Sequence, residues 1–319
     1  MTEFFVTHTT EYVYSTLASL SYNEARMVPR TFSNYLLRQT CLSKEIRTDP
    51  IWRDQRLRKD YFGNQVLYFT MRQPHSKMQI TIESQISIEP SPHNPVVRDQ
   101  YNAWSQDSPS WETVRDWLNK ATTAEADSVR EYALDSPMAA RFDGAFEYAA
   151  ESFTPDRPLL AAVRDLMQRI YVEFEYKPGS TNIYTPIGQV YATKSGVCQD
   201  FAHFMLACLR AYGLAGRYMS GYIETLPRAG QEKLQGADAS HAWIAVYLPQ
   251  HGWVDFDPTN DLIPYDQHIT LAWGRDFADV TPLKGIFFGG GENALSVSVD
   301  VRRPKPLNSL QEEEAIHLN

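Results

Sequence analysis

The sequence predicts an α+β protein in which an all-β region comes first and a mixed region of helices and strands comes second. Isoleucines occupy most even-numbered positions between 80 and 88 with polar residues among them, the pattern of a strand with one buried face. Residues 198–212 carry a helical apolar pattern that ends at Gly213, where a left-handed cap is favoured. Residues 241–248 and 253–257 then have the composition of the two strands of a hairpin.

Length and composition exclude several classes of protein. A chain of 319 residues is long enough for two domains of ordinary size, or for one large domain with additions. Hydrophobic residues make up 43% and charged residues 22%, which excludes wholesale disorder, a coiled coil and a collagen-like repeat. The 30 basic and 39 acidic side chains give a net charge of −9, so we expect no nucleic-acid partner.

The cysteines and the first residues indicate the compartment. Cys41, Cys198 and Cys208 form an odd and sparse set, a poor disulfide framework that favours a reducing environment. The N-terminus lacks a basic start followed by an apolar core, and no stretch of about 18 apolar residues occurs. We therefore expect a cytoplasmic protein with no membrane partner, and the sequence leaves its oligomeric state open.

A cluster of prolines and a change in the spacing of apolar residues divide the chain into four parts. Residues 1–90 are expected to form an antiparallel β domain, which ends at a cluster of prolines. Residues 91–155 are expected to be a linker and a helical segment, because Ser110 precedes a helical pattern as a cap would. Residues 156–305 are expected to form the core that carries the chemistry, and residues 306–319 a frayed acidic tail.

Cys198 is the first candidate for chemistry. A thiol in the first turn of a helix lies near unpaired N–H groups and the positive end of the helix dipole, which stabilise a thiolate. An isolated cysteine is more often a buried and inert side chain, since free cysteine is among the most buried residue types. Cys208 illustrates that alternative, because it falls among apolar residues ten positions further along the same helix.

His241 and Asp257 complete a candidate site for nucleophilic chemistry. His241 begins a strand after a long polar loop at 225–239, and Asp257 ends the neighbouring strand. A cysteine at a helix start, a histidine and a carboxylate are the three parts of a nucleophile, base and orienter system. A lone histidine is more often structural, but three such residues, each at the end of an element, give the enzymatic interpretation even weight. His203 is not the base, because five helical steps turn it about 140° away from Cys198.

The hairpin register decides whether His241 can reach Asp257. A four-residue loop would put His241 on the same face as Phe256. A five-residue loop or a bulge instead makes Trp243 oppose Asp257, and the two candidate side chains then lie on a diagonal of about 7 to 8 Å. We predict this second register. Asp255 shares the same face and remains the rival carboxylate.

Several separate blocks of the sequence stand out together. The blocks are Gly196-Val197-Cys198-Gln199-Asp200-Phe201-Ala202, Gly221-Tyr222, Gly236-Ala237-Asp238-Ala239-Ser240-His241-Ala242-Trp243 and Gly252-Trp253-Val254-Asp255-Phe256-Asp257-Pro258-Thr259-Asn260, with Met27-Val28-Pro29-Arg30 and Asp60-Tyr61-Phe62-Gly63-Asn64 near the N-terminus. These blocks resemble bacterial transglutaminase-like proteins, whose members are often described as cysteine proteases. The region before residue 90 is also similar to the β-rich N-terminal region that commonly precedes this core. The resemblance covers most of the chain and is weakest between 98 and 155.

The resemblance implies a papain-like transglutaminase core, in which the cysteine helix packs on an antiparallel sheet. It assigns Cys198 as the nucleophile, His241 as the base and Asp257 as the orienter. The implied activity is thiol-dependent acyl transfer on an amide bond of a peptide or protein, through a thioester, by hydrolysis or by transamidation. The family also contains members that have lost catalysis. The alternative is therefore a catalytically silent scaffold that binds a protein or peptide partner through its β domain.

Four further residues are candidates for binding the substrate. Gln199 and Tyr222 are candidate side-chain donors to an oxyanion, although a structural role is the commoner one for both. Trp243 could stack on the substrate or pack in the core, and Asp238 could direct a substrate amine or cap a turn. We expect no cofactor and no metal, because the sequence contains neither a Cys-x-x-Cys pair nor a His-Glu-x-x-His motif.

Overall fold

The structure is a computed structural model that describes residues 1–98, 101–225 and 239–304. Asp238, most of the predicted loop at 225–239 and the predicted acidic tail at 306–319 lie outside the described residues. Within the described ranges, no helix combines the length and the apolar character needed to cross a lipid bilayer.

The N-terminal region forms an antiparallel sheet built around one long strand. Its strands are β1 (Thr2–Ala25), β2 (Phe32–Ser33), β3 (Leu37–Asp49), β4 (Asp54–Lys59), β5 (Gln65–Met71) and β6 (His75–Pro90). The first half of β1 pairs with β6 and its second half pairs with β5, so β5 and β6 follow one another along the same strand. The isoleucines at 80, 82, 86 and 88 are all buried, which confirms the alternation predicted for this strand.

The segment between the two sheets is helical, as the sequence predicts. Its helices are α1 (Pro95–Arg98), α2 (Tyr101–Gln106), α3 (Trp111–Lys120), α4 (Ala124–Arg130), α5 (Asp143–Ala150), α6 (Leu159–Glu173) and α7 (Ile187–Thr193), with a 3₁₀ turn at Glu131–Ala133. Ser110 begins α3 as a cap, since its hydroxyl accepts a hydrogen bond from the N–H of Thr113. The buried faces of α5 and α6 enclose the helix that comes after α7.

A second antiparallel sheet and one buried helix form the C-terminal half. After the short parallel strands β7 (Glu175–Tyr176) and β8 (Ser195–Gly196) come α8 (Cys198–Ala211), β9 (Gly216–Ile223), β10 (Ala239–Leu248), β11 (Gly252–Phe256) and β12 (His268–Gly274). The sheet has the order β11-β10-β9-β12, and α8 packs on β9 and β10. A Cβ at Gly216 would lie 2.7 Å from a methyl carbon of Leu206, so glycine allows β9 to approach α8 closely. The predicted arrangement of a cysteine helix on an antiparallel sheet is confirmed.

The last two strands return to the first sheet, which differs from the expected division of the chain at residue 305. Following α9 (Phe277–Val280), the strands β13 (Leu283–Gly289) and β14 (Asn293–Arg302) run along β1 in antiparallel pairing. Their alternating pattern predicts a half-buried strand but does not indicate which sheet offers the open edge. Residues 283–302 therefore complete the N-terminal sheet instead of extending the core.

Side-chain amides of the β domain cover the outer edge of β12. Gln39 accepts a hydrogen bond from the N–H of Thr270 and donates one to its carbonyl, both at 2.8 Å. Asn64 makes the same two contacts with Trp273, both at 2.9 Å. Each amide stands in for a peptide group of a neighbouring strand, so the edge of the second sheet is satisfied by the first domain. Buried residues of both sheets also belong to one continuous apolar cluster, so the two regions form a single folded unit.

Replacing Gln39 by leucine tests whether its hydrogen bonds to β12 stabilise the fold. Gln39→Leu keeps a similar volume but removes the acceptor of the buried N–H of Thr270, while the carbonyl of Thr270 keeps its hydrogen bond from the N–H of Arg30. We expect the free energy of unfolding to fall by about 3 kcal/mol, measured by urea denaturation. Gln55→Leu on the exposed strand β4 is the control and should change it by no more than about 0.5 kcal/mol. Equal losses in the two variants would contradict the role of Gln39.

Candidate active site

The local structure around Gly196 places Cys198 at the first position of α8. The carboxylate of Asp200 accepts a hydrogen bond from the N–H of Val197 at 2.8 Å and another from the hydroxyl of Thr181 at 2.6 Å. A Cβ at Gly196 would lie 2.7 Å from that carboxylate, so only glycine leaves room for it. These contacts fix the turn from β8 into the helix, and with it the position of the thiol.

The start of α8 presents free backbone donors beside the thiol. The N–H groups of Asp200 and Phe201 bond to the carbonyl of Val197, while those of Cys198 and Gln199 have no acceptor within the helix. These groups and the helix dipole together favour negative charge next to the sulfur. Cys198 is only partly buried and therefore accessible to reagents.

Cys208 lies in the opposite environment. Its side chain is completely buried in the apolar core, and burial raises the pKa of its thiol far above the usual value. The prediction that Cys208 is a core residue is confirmed.

His241 and Asp257 form a buried pair on neighbouring strands. Nε2 of His241 lies 2.8 Å from Oδ2 of Asp257. Ile244 pairs with Phe256 across β10 and β11, which is the predicted register, and the turn closes between Leu248 and Gly252. The hairpin thus brings the two side chains together as the sequence predicted.

Asp257 is the centre of a network of hydrogen bonds. Its Oδ2 atom also accepts hydrogen bonds from Nε2 of His268 at 2.9 Å and from the amide of Asn260 at 2.8 Å, while Oδ1 accepts one from the N–H of Thr259 at 3.0 Å. Burial by itself raises the pKa of Asp257, but the contacts with His241 and His268 outweigh it and hold the pKa well below its usual range. The carboxylate therefore stays charged and fixes the plane of the His241 ring.

His241 connects this carboxylate to Cys198. Because Nε2 faces Asp257, Nδ1 is the ring nitrogen left for a further partner, and Cys198 lies close enough to the ring to influence its pKa. Burial lowers the pKa of His241, but the charges and hydrogen bonds of Asp257 and Cys198 overcome it and raise the pKa to about 10. The site thus favours the protonated, positively charged form of His241 beside the Asp257 carboxylate.

The rival carboxylate has another role. Oδ2 of Asp255 accepts a hydrogen bond from the indole N–H of Trp243 at 3.2 Å and makes no bond to His241. Burial raises the pKa of Asp255 to about 6, although the nearby charge of Arg217 opposes the change. Asp257 and not Asp255 is therefore the partner of the histidine.

The four candidate substrate-binding residues lie in different environments. Tyr222 is 1% exposed and its hydroxyl lies 2.6 Å from Nδ1 of His8 in β1, so it joins the two sheets, the structural role given as the commoner one for this residue. Trp243 is fully buried, and its ring packs beside that of His241 with centroids 6.0 Å apart, which agrees with the alternative of packing in the core. Gln199 borders a cavity beside the first turn of α8. Asp238 lies outside the described residues.

One group of side chains among the described residues could surround a cation. The possible ligand atoms of His241, Asp257 and His268 lie within 4.8 Å of one another. Both imidazoles direct Nε2 at the same carboxylate oxygen, so each contact is a hydrogen bond that a metal would have to replace by displacing a proton. Burial lowers the pKa of His268, which keeps this second imidazole neutral while its Nε2–H donates. The chemistry of these groups fits an orienting network better than an open metal site.

The sequence analysis missed three parts of the site: His268, Asn260 and the contact between Thr181 and Asp200. Asn260 stands three residues after Asp257, a spacing at which a side chain can reach back to a carboxylate, so a local signal existed. His268 comes from β12, and its approach depends on a strand that is not adjacent to β10 in the sheet. No local pattern could have indicated it.

Substitution of the two carboxylates tests the assignment of the orienter. In a Cys41→Ser background, we expect Asp257→Asn to slow alkylation of Cys198 by iodoacetamide at pH 7 at least about tenfold, since the imidazolium loses its charged partner. Asp255→Asn should slow it by less than about threefold, because Asp255 bonds to Trp243. The rate is read from the mass of the Cys198 peptide over time. A larger effect at Asp255 than at Asp257 would refute the assignment.

The pKa of His241 tests its interaction with Cys198. Cys198 contributes to the raised pKa of His241, so we expect Cys198→Ala to lower that pKa below the value of about 10 in the intact site. The raised pKa stabilises the fold fully below pH 6.5, and this contribution is lost as the pH rises through about 10, so Cys198→Ala should lose it at lower pH. NMR titration of ¹⁵N-histidine-labelled protein measures the pKa, with Cys41→Ala as the control. An unchanged pKa in Cys198→Ala would argue that the two groups do not interact.

Two family models match the chain. The bacterial transglutaminase-like N-terminal region matches residues 4–95, and the transglutaminase-like superfamily matches residues 147–258, a range that includes Cys198, His241 and Asp257. The first match corresponds to β1–β6, and the second includes the cysteine helix and the hairpin of the second sheet.

Relatives align with nearly the whole chain. An uncharacterized protein of Mycobacterium tuberculosis (strain H37Rv) is 40% identical over 301 residues, which cover 93% of this chain and 91% of that protein. A protein-glutamine gamma-glutamyltransferase of Pseudomonas aeruginosa is 35% identical over 138 residues, 41% of this chain and 21% of that enzyme. A crystal structure at 1.9 Å from Cytophaga hutchinsonii, described as a proposed cysteine protease, has a TM-score of 0.69 at 18% identity and covers 96% of this chain and 91% of its own.

The sequence matches and the structural match agree in extent. Both span the β-rich N-terminal region and the core with the cysteine helix, and the likeness to the Cytophaga protein shows a common fold. The resemblance noted from the sequence blocks is thereby confirmed: the chain belongs to the transglutaminase-like superfamily, with the bacterial N-terminal region ahead of its core.

Proposed function

We propose that this protein catalyses thiol-dependent acyl transfer on an amide bond of a peptide or protein. The observation that carries the proposal is the position of His241, which bonds to the Asp257 carboxylate through Nε2 and lies close enough to Cys198 for the two groups to interact. A thiolate beside an imidazolium is a reactive nucleophile, and the imidazolium is an acid placed next to the bond that must break.

The first half of the proposed reaction forms a thioester. The Cys198 thiolate attacks the amide carbonyl carbon, and the electron pair of the C=O bond moves to the oxygen. The free N–H groups of Cys198 and Gln199 stabilise that oxyanion at the helix start. When the C–N bond breaks, the His241 imidazolium gives its proton to the leaving amine, and the acyl group remains on sulfur.

The second half returns the enzyme to its starting state. Neutral His241 takes a proton from water or from an amine as that acceptor attacks the thioester carbonyl. The sulfur then leaves as a thiolate beside the newly formed imidazolium, while Asp257 keeps its charge and holds the ring. Water gives hydrolysis and an amine gives transamidation, the reaction that the name of the Pseudomonas relative describes.

A cavity of about 560 Å³ beside the first turn of α8 supports a substrate with an apolar group near the scissile amide. Gln199 and Asp200, the two residues that follow Cys198 in the chain, form part of its wall. Most of the remaining wall is apolar and comes from the helical segment and the loop before α7. The apolar contributors include Met138, Phe142, Ile183, Pro186 and Ile187.

Trapping of the acyl group on sulfur tests the proposal. The wild-type protein, Cys198→Ala and the matched control Cys41→Ala are incubated with a library of N-acetyl peptides that contain glutamine, asparagine and terminal amides. After acid quenching, we expect mass spectrometry to find an acyl adduct on the Cys198 peptide of the wild type and of Cys41→Ala. Cys198→Ala should form no product. Product mass in H₂¹⁸O with added methylamine then separates hydrolysis (¹⁸O acid) from transamidation (methylamide).

Two results would contradict the proposal. Equal turnover by the wild type and Cys198→Ala would exclude a thioester at this residue. No adduct in the wild type, together with alkylation of Cys198 no faster than that of Cys41, would favour the catalytically silent scaffold.

A further inference from the structure

We infer that a second cavity, built around Arg217 and separate from the cysteine site, binds a small organic anion with a flat apolar body. The cavity has a volume of about 560 Å³ and lies where the β domain, the helical segment and the second sheet meet. Its wall includes Asn34 and Phe62 from the β domain, Tyr132 from the helical segment, and Trp253 and Trp273 from the second sheet.

Arg217 contributes a buried cation to the wall of this cavity. Arg217 is only 4% exposed, and its Nε is a buried donor without a hydrogen-bond acceptor in the described part of the chain. Within the same ranges, no carboxylate oxygen lies within 4.0 Å of it, so Asp255 acts on it only through its charge. Buried donors without acceptors are rare in proteins and costly, which indicates that a partner from outside completes the site.

Two indole rings hold this guanidinium in place. Its central carbon lies 4.6 Å from the ring centre of Trp253 and 3.9 Å from that of Trp273. A guanidinium held over indole rings keeps the N–H donors at its edge free for an acceptor. A carboxylate or phosphate that approaches this edge can accept two parallel hydrogen bonds.

The surrounding charges favour an anion over a neutral acceptor. The guanidinium of Arg30 lies 3.4 Å from the ring centre of Trp273, so two cations share one indole and repel each other. Arg30 is held by the side chain of Asn64 and the carbonyl of Phe62, contacts that are neutral. Glu131 lies in the wall as the opposing charge, close to Tyr61. An anion on Arg217 would relieve the repulsion between the two arginines.

The shape of the cavity indicates the rest of the ligand. Aromatic side chains make up nearly half of the wall, and its volume is within the range of about 300 to 1,000 Å³ that small-molecule sites occupy. Aromatic walls accommodate flat apolar groups by stacking and edge contacts. The ligand class is therefore an aromatic or similarly flat acid.

This cavity is distinct from the cysteine site. Arg217 alternates with Gly216 and Tyr218, which face α8, so it lies on the other face of the second sheet. Arg217 pairs with Ala245, whereas Gly221 pairs with His241, a separation of four residues or about 13 Å along the strands. A ligand at Arg217 therefore does not occupy the space beside the thiol.

Binding of three simple probes tests the inference. The full-length protein, with Cys198 first alkylated to block the thiol, is titrated with benzoate, phenyl phosphate and the uncharged benzamide, followed by calorimetry and tryptophan fluorescence. We expect benzoate or phenyl phosphate to bind at least about tenfold more tightly than benzamide and to change the emission of the indoles. The tighter of the two anions identifies the acid group. Binding of benzamide as tight as that of both anions would overturn the inference.

Variants of the cavity locate the binding. Arg217→Gln should weaken anion binding at least about tenfold, while Arg56→Gln, on the exposed strand β4, should leave it unchanged. Ser128→Trp adds bulk to an exposed position in the wall and should weaken binding similarly without touching the buried core. If Arg217→Gln fails to fold by circular dichroism, Ser128→Trp decides the question. Unchanged anion affinity in Ser128→Trp and in folded Arg217→Gln would overturn the inference.

Discussion

One buried carboxylate oxygen organises the chemistry of this protein. Oδ2 of Asp257 accepts hydrogen bonds from two imidazoles and one amide, in a position without solvent exposure. An isolated carboxylate would not remain charged in this buried position. Asp257 keeps its charge because these hydrogen-bond donors stabilise it. The orientation of His241, and through it the proposed reactivity of Cys198, depends on this arrangement.

The β domain contributes to the same site although none of its residues reaches the thiol. His268 can approach Asp257 only because β12 lies beside β9, and Gln39 and Asn64 fasten β12 from outside. Tyr222 adds a contact with β1 from the neighbouring strand. The N-terminal region therefore supports the core structurally.

How much of the structure could be predicted from the sequence depends on how far apart along the chain the interacting residues lie. The cysteine helix and the buried role of Cys208 follow from local periodicity, and both are confirmed. The hairpin register is predicted because it lets His241 reach Asp257, and it is confirmed too. Trp243 and Tyr222 sit in blocks of the site motif but are buried, because alternation along a strand determines a face and not whether that face meets solvent. His268 and the return of 283–302 to β1 depend on which strands become neighbours, and no local pattern encodes this.

The pairing of β14 with β1 has a consequence for biosynthesis. Strand residues near position 5 find their partners near position 302, so that almost 300 residues must leave the ribosome before this ladder can close. Until then one edge of the long first strand stays open to other chains, and closing so large a loop is slow. Nascent copies crowded on a polysome would be exposed to mutual strand exchange, a hazard from which the completed molecule is protected.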